Sequence, residues 1–169
     1  MARVDIELNP VDFVTIGTVG PKGRRVFHLQ AGRAEQIVSL TVEKEQTRAL
    51  AEALDELLDD LQKQLGDSVL ADNVALDKMN MDLREPIEPE FRVAQMGLGY
   101  DRDHDMIVLV AQELVVAKEE EDPEETQPGI ARFWCTRQQM RALSQQAGYI
   151  VKQGRVDPQS NGRLLYYWT

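Results

Sequence analysis

The chain has 169 residues, 43% of them hydrophobic, enough to bury roughly two-thirds of its unfolded surface and too apolar for a largely disordered protein. Its single cysteine, Cys135, excludes an internal disulfide or a cysteine-built metal cluster within one chain and fits a reducing compartment. A formal net charge of −10 and a pI near 4.7 weigh against nucleic acid and anionic membranes, whose phosphates call for a basic footprint.

Met1 to Glu7 alternates charged and apolar residues, without the continuous apolar run of an export signal, so a cytoplasmic location is expected. The most apolar stretch, Met106 to Ala111, falls far short of the about 20 residues that span a bilayer. Val4 to Leu8 alternates and predicts an added edge strand. Phe13 to Val19 and Arg25 to Ala31 are rich in β-branched and aromatic residues and flank the turn Gly20-Pro21-Lys22-Gly23, which predicts a hairpin. Glu35 to Val42 alternates as a third strand. A helix follows, with Leu50, Leu54, Leu57, Leu58, Leu61 and Leu65 in one stripe opposite Glu52, Asp55, Glu56, Asp59 and Asp60, and Gly66 as its stop.

Asp67 to Glu90 reads as a polar connector, with a short helix expected around Val74 to Leu83. Strands are then predicted over Phe91 to Leu98, Met106 to Val115 and Gly129 to Cys135, with a turn at Tyr100 to Asp105. The apolar run at Met106 predicts a strand covered at least in part on both faces. Thr136 caps a helix from Arg137 to about Ala147. The acidic run between Val116 and Pro128 reads as a solvated loop.

Two stretches repeat. Glu45-Gln46-Thr47-Arg48-Ala49-Leu50-Ala51 reads against Gln138-Gln139-Met140-Arg141-Ala142-Leu143-Ser144, 93 positions on. Upstream the match continues at 80, with Val14 to Gly17 against Ala94 to Gly97 and Val26 to Leu29 against Met106 to Leu109. The acidic loop supplies the 13 extra residues. The expected fold is α+β: two repeats of a three-strand-plus-helix unit, mainly antiparallel sheet (one continuous sheet or two), with helices packed on one face. The repeats span 1–66 and 91–151, joined by a connector at 67–90 and followed by a C-terminal tail at 152–169.

Asn9-Pro10-Val11-Asp12-Phe13 and Gly17 to Ala31, continued by Val38 to Gln46, Leu54 to Leu58 and, more weakly, Phe91 to Ala94, resemble an uncharacterised family of bacterial hypothetical proteins. The resemblance covers nearly the whole chain. Many members of that family end in a cysteine-rich, zinc-ribbon-like tail. This sequence departs there, since Gly154 to Gly162 holds no cysteine, and the resemblance implies no zinc site and no mechanism.

Candidate residues are few. Asp101-Arg102-Asp103-His104-Asp105 opens like a calcium loop, but Met106 stands where the glycine belongs and no later glutamate follows, so a polar hairpin turn is expected. His28 falls on a half-buried strand face, His104 in a turn and Cys135 at a core position, with nothing to join them as a metal or catalytic trio. Lys22, Arg24 and Arg25 make the β-turn the most basic spot of an acidic chain and a candidate phosphate contact, although the phosphate-loop spacing is missing. Arg48 and Arg141 share one repeat position and are candidates for a site between the copies. Leu164-Leu165-Tyr166-Tyr167-Trp168 reads as a docked strand or a partner-binding tail.

The reading preferred is a non-catalytic protein-interaction or adaptor domain with a protein partner, as monomer or homodimer, and with no cofactor. The alternative is an enzyme binding a small molecule or a nucleotide phosphate between the repeats. A third reading, single-stranded nucleic acid on a sheet face, is opposed by the charge.

Overall fold

The computed structural model describes residues 4–65, 80–116 and 127–153. Within them the chain forms β1 (Asp5–Leu8), β2 (Phe13–Val19), β3 (Val26–Arg33), β4 (Gln36–Val42), α1 (Lys44–Leu65), β5 (Pro89–Asp101), β6 (Met106–Glu113), β7 (Ile130–Cys135) and α2 (Arg137–Gln153). The fold is α+β, with one mixed seven-stranded sheet in the order β1-β7-β6-β5-β4-β3-β2 and two helices.

β2-β3-β4 and β5-β6-β7 are antiparallel meanders, each followed at once by a helix. The joins between them are parallel: β4 pairs with β5 around Leu40 and Phe91, and β1 with β7 around Leu8 and Phe133. Local sequence patterns encode neither join.

The ends of the seven-strand order, β1 and β2, are consecutive in the chain. Five residue steps from Leu8 to Phe13 reach at most about 18 Å, whereas six flat strand spacings need about 29 Å. The sheet therefore curls until its ends meet. Two hydrogen bonds mark the closure: Val11 N donates to Trp134 O (2.9 Å), and Asp12 N to Gly32 O (2.7 Å). The expected edge strand β1 is thus the first half of a strand that continues as β2 on the other side of the seam.

Alternating residues of every strand, with the leucine stripe of α1 and the apolar face of α2, form one core whose largest members include Phe133, Leu29, Leu40, Leu54, Leu109 and Met140. α2 runs to Gln153, beyond the expected Ala147, because Ile150 and Val151 prolong its buried face. β5 begins at Pro89, inside the expected connector, and is longer than expected because its first part pairs with β4 and its last part with β6. Residues 80–83 of the connector carry no helix. The rest of that expected helix, Gly66, most of the acidic loop and the whole Leu164–Trp168 segment lie outside the described residues.

The outward faces of the two meanders differ. Thr15, His28, Gln30, Ser39 and Thr41 are polar yet buried, because the segment 80–86 lies over them. Thr15 Oγ1 donates to Met81 O (2.6 Å), the Gln30 amide exchanges bonds with Arg84 N and O (2.7 Å each), and Leu83 sits against Gly17. On β6 and β7 the outward Val108, Val110, Ile130 and Trp134 are only half-buried, so the expected cover on both faces of Met106–Ala111 is complete on one side alone.

Candidate functional site

α1 starts where β4 ends, and its first turn is held by a partial capping box. Glu43 N donates to Gln46 Oε1 (2.7 Å), and Thr47 N to Glu43 O (2.9 Å), which satisfies groups that a helix start otherwise leaves open. α2 has the complete form: Thr136 N donates to Gln139 Oε1 (2.8 Å) and Gln139 N to Thr136 Oγ1 (3.1 Å). Each glutamine also reaches across to the other meander. Gln46 Nε2 donates to Val93 O (2.9 Å), and Gln139 Nε2 to Val11 O (3.3 Å).

At the mouth formed by β3, β4, β5 and the start of α1 lies a cavity of about 350 Å³, lined by Arg25, Lys44, Arg92 and Glu43 among others. Three cations face one carboxylate there. Arg92 Nη1 pairs with Glu43 at 2.6 Å, and Arg25 Nη1 donates to Gln153 O at the end of α2 (3.3 Å). The positive end of the α1 dipole adds to the field, so the mouth favours an anion. Gly23, with φ of 86°, lets the β2–β3 connection pass beside it.

The mouth at the start of α2 is filled by the chain itself. Arg137, only 5% exposed, places Nε and Nη2 3.2 and 2.9 Å from Asp105 Oδ2, and Tyr100 donates its hydroxyl proton to Asp105 Oδ1 (2.7 Å). Burial, and then the bond to Asp105, raise the Tyr100 hydroxyl above its ordinary value. One mouth therefore closes on an internal carboxylate, and the other gathers cations round a space.

A family model described as a protein of unknown function (DUF3090) matches residues 6–161. The chain belongs to that family. The match takes in both helices and every strand except the first residue of β1, in keeping with the resemblance to an uncharacterised family carried by Asn9 to Ala31. Neither a curated protein nor a solved structure matches this DUF3090 chain, so the site rests on its own geometry.

Of the basic residues singled out in this DUF3090 sequence, Arg25 lines the cavity, while Lys22 and Arg24 are exposed at the hairpin tip. Arg48 and Arg141 do not converge. Arg48, 41% exposed, pairs with Glu45 one turn back (3.1 Å), and Arg141, 16% exposed, ties α2 to Asp55 (3.2 Å) and Asp59 (3.3 Å) of α1. Lys44 and Arg92 escape sequence reading, since each looks like an ordinary solvated charge and only the parallel β4–β5 join brings them to Arg25.

Asp101 accepts bonds from Asp103 N (3.1 Å), His104 N (3.4 Å) and His104 Nδ1 (2.7 Å), the internal bonding of a hairpin turn. These bonds, the His104 ring first, hold its carboxyl below the usual value. Cys135 is fully buried, and desolvation pushes its thiol far up, which leaves it unreactive. His28 is buried on β3, away from both. Among the described residues no group of three metal-ligating side chains gathers, and no helix is long and apolar enough to cross a membrane.

Proposed function

We propose that this protein binds a small anionic ligand, through a carboxylate or phosphate group, in the cavity between Arg25, Lys44 and Arg92. What carries the reading is the contrast between the two mouths: one contains the carboxylate of Asp105, and the other holds three cations against Glu43 alone. Arginine and lysine converging at a helix start are suited to such a group.

We also infer that the contrast comes from an internal duplication. The third strands pair alike: Phe27–Val42 against Ile107–Cys135, and Leu29–Leu40 against Leu109–Phe133, at the offsets of 80 and 93 read from the sequence. The first strands match by pairing at 82 instead of 80, Gly17–His28 against Gly99–Val108. The crossed bonds Gln46 to Val93 and Gln139 to Val11 fit a twofold relation. In this equivalence Arg25 stands where the second copy has Asp105, and Lys44 where it has Arg137. The first copy has lost its internal anion and kept its cationic surroundings.

Calorimetric titration at low salt tests the reading. Inorganic phosphate or acetate should bind at one site, and Arg25→Ala with Arg92→Ala should weaken it at least about tenfold. A chain that takes up neither anion removes the proposal.

A protein partner is the second reading, favoured by the half-exposed Val108, Val110, Ile130 and Trp134 on the uncovered face of β6 and β7. Val108→Arg should abolish a stoichiometric complex formed there, and a complex that survives it uses another surface.

A further inference from the structure

A second cavity adjoins the basic one. It holds about 300 Å³ between α1 and β5 and is lined by Ala49, Leu50 and Ala53 on the helix side and Met96, Leu98 and Leu109 on the sheet side. On both elements it lies just C-terminal to the basic cavity: past Lys44 along α1, and past Arg92 along β5. Gln46 stands at the junction, its amide held by Val93 O (2.9 Å) and Ala94 O (3.1 Å). The seam between α2 and β2 is occupied differently. There Met81 and Arg84 come in over Phe13 and Ala142, with the Arg84 guanidinium 3.5 Å above the Phe13 ring. No described residue outside α1, β5 and β6 lines the α1–β5 groove.

We propose that the ligand is a fatty carboxylate, its head among Arg25, Lys44 and Arg92 and its hydrocarbon tail laid between α1 and β5. This rests on the anion-binding reading of the same basic cavity. The cations complement the head, and Asp105 facing Arg137 in the other mouth shows a carboxylate seated in the corresponding surroundings. An apolar groove with a few polar groups at one end is the usual form of a small-molecule site. The nine helix positions from Lys44 to Ala53 cover about 13 Å, the length of a medium chain, and the two alanines leave room along it.

The test is calorimetric titration of the full chain with decanoate below its micelle concentration, with acetate and inorganic phosphate as heads without a tail. Each methylene buried is worth about fourfold in affinity, so decanoate should bind at one site at least about a hundredfold tighter than acetate. Ala53→Phe, which fills the groove from an exposed helix position, should cut decanoate binding about tenfold or more and leave acetate and phosphate unchanged. Arg25→Ala with Arg92→Ala should weaken all three. Decanoate binding no tighter than acetate, with both anions still bound, would overturn the fatty ligand and leave the anion site standing. Decanoate binding that ignores Ala53→Phe places the tail elsewhere and also overturns it. Failure of every anion, decanoate included, removes both readings together.

Discussion

His28 lies on β3 at 7% exposure with its Nδ1 unpartnered, and burial holds the imidazole below its ordinary value of 6.5. The unfolded chain takes up this proton first as the pH falls. The contribution of His28 is therefore complete above about 6.5 and is lost as the pH drops from there through the lower folded value. Urea midpoints should fall between about pH 7.5 and 5.5, and His28→Gln should flatten that decline; an equal slope in the variant would assign it to another group. At the second mouth Asp105→Asn keeps the shape but removes the charge facing buried Arg137. It should cost about 2 kcal/mol in urea unfolding, held to that size because the Asp105 side chain is 46% exposed. A cost near zero would show that other groups neutralise Arg137. Cys135 and the polar turn at Asp101–Asp105 were legible in the sequence, because core position and turn chemistry are local properties. The buried polarity of Thr15, Gln30 and Ser39 was not, since an alternating strand with polar outward residues reads as solvated.

α1 is the most legible element: its leucine stripe predicts the buried face, and Leu54 and Leu58 are fully enclosed. Leu54→Ala should cost about 3 kcal/mol, measured by urea denaturation; a loss under about 1 kcal/mol would mean that the core collapses into the space. The segment 80–86 has no periodicity to betray it, yet it covers a sheet face. A Cβ at Gly17 would lie 2.7 Å from Leu83 Cγ, so Gly17→Ala should destabilise by about 1–3 kcal/mol through overpacking. In a Leu83→Ala background most of that penalty should vanish, because the two sites share one space. Additive costs would show that Gly17 matters for its backbone alone.

Over the whole molecule, stability depends on pairings between distant segments. β1 with β7 and β4 with β5 are parallel joins, and Ser144 Oγ donates to Ala51 O (3.0 Å) where the two helices cross. Neither meander has its neighbours without the other, so residues 1–88 and 89–169 made separately should show no cooperative urea transition by circular dichroism. Mixed, they should recover one. A cooperative transition in either fragment alone would contradict the shared core. Long-range pairing of this kind also places refolding in the slow range for a domain of this size, about milliseconds to seconds.

The sequence by itself determined the element types, the α+β class, the hairpin at Gly20–Gly23, the cap at Thr136 and the leucine face of α1, because periodicity and turn chemistry act over a few residues. Even the offsets of 80 and 93 could be read from it. The tertiary structure alone decided that the sheet closes on itself, that residues 80–86 bury a polar face, and that Arg25, Lys44 and Arg92 surround one cavity while Arg48 and Arg141 part. Those outcomes depend on parallel register between segments tens of residues apart, and side-chain patterning along a strand carries its period but not the identity of its neighbour.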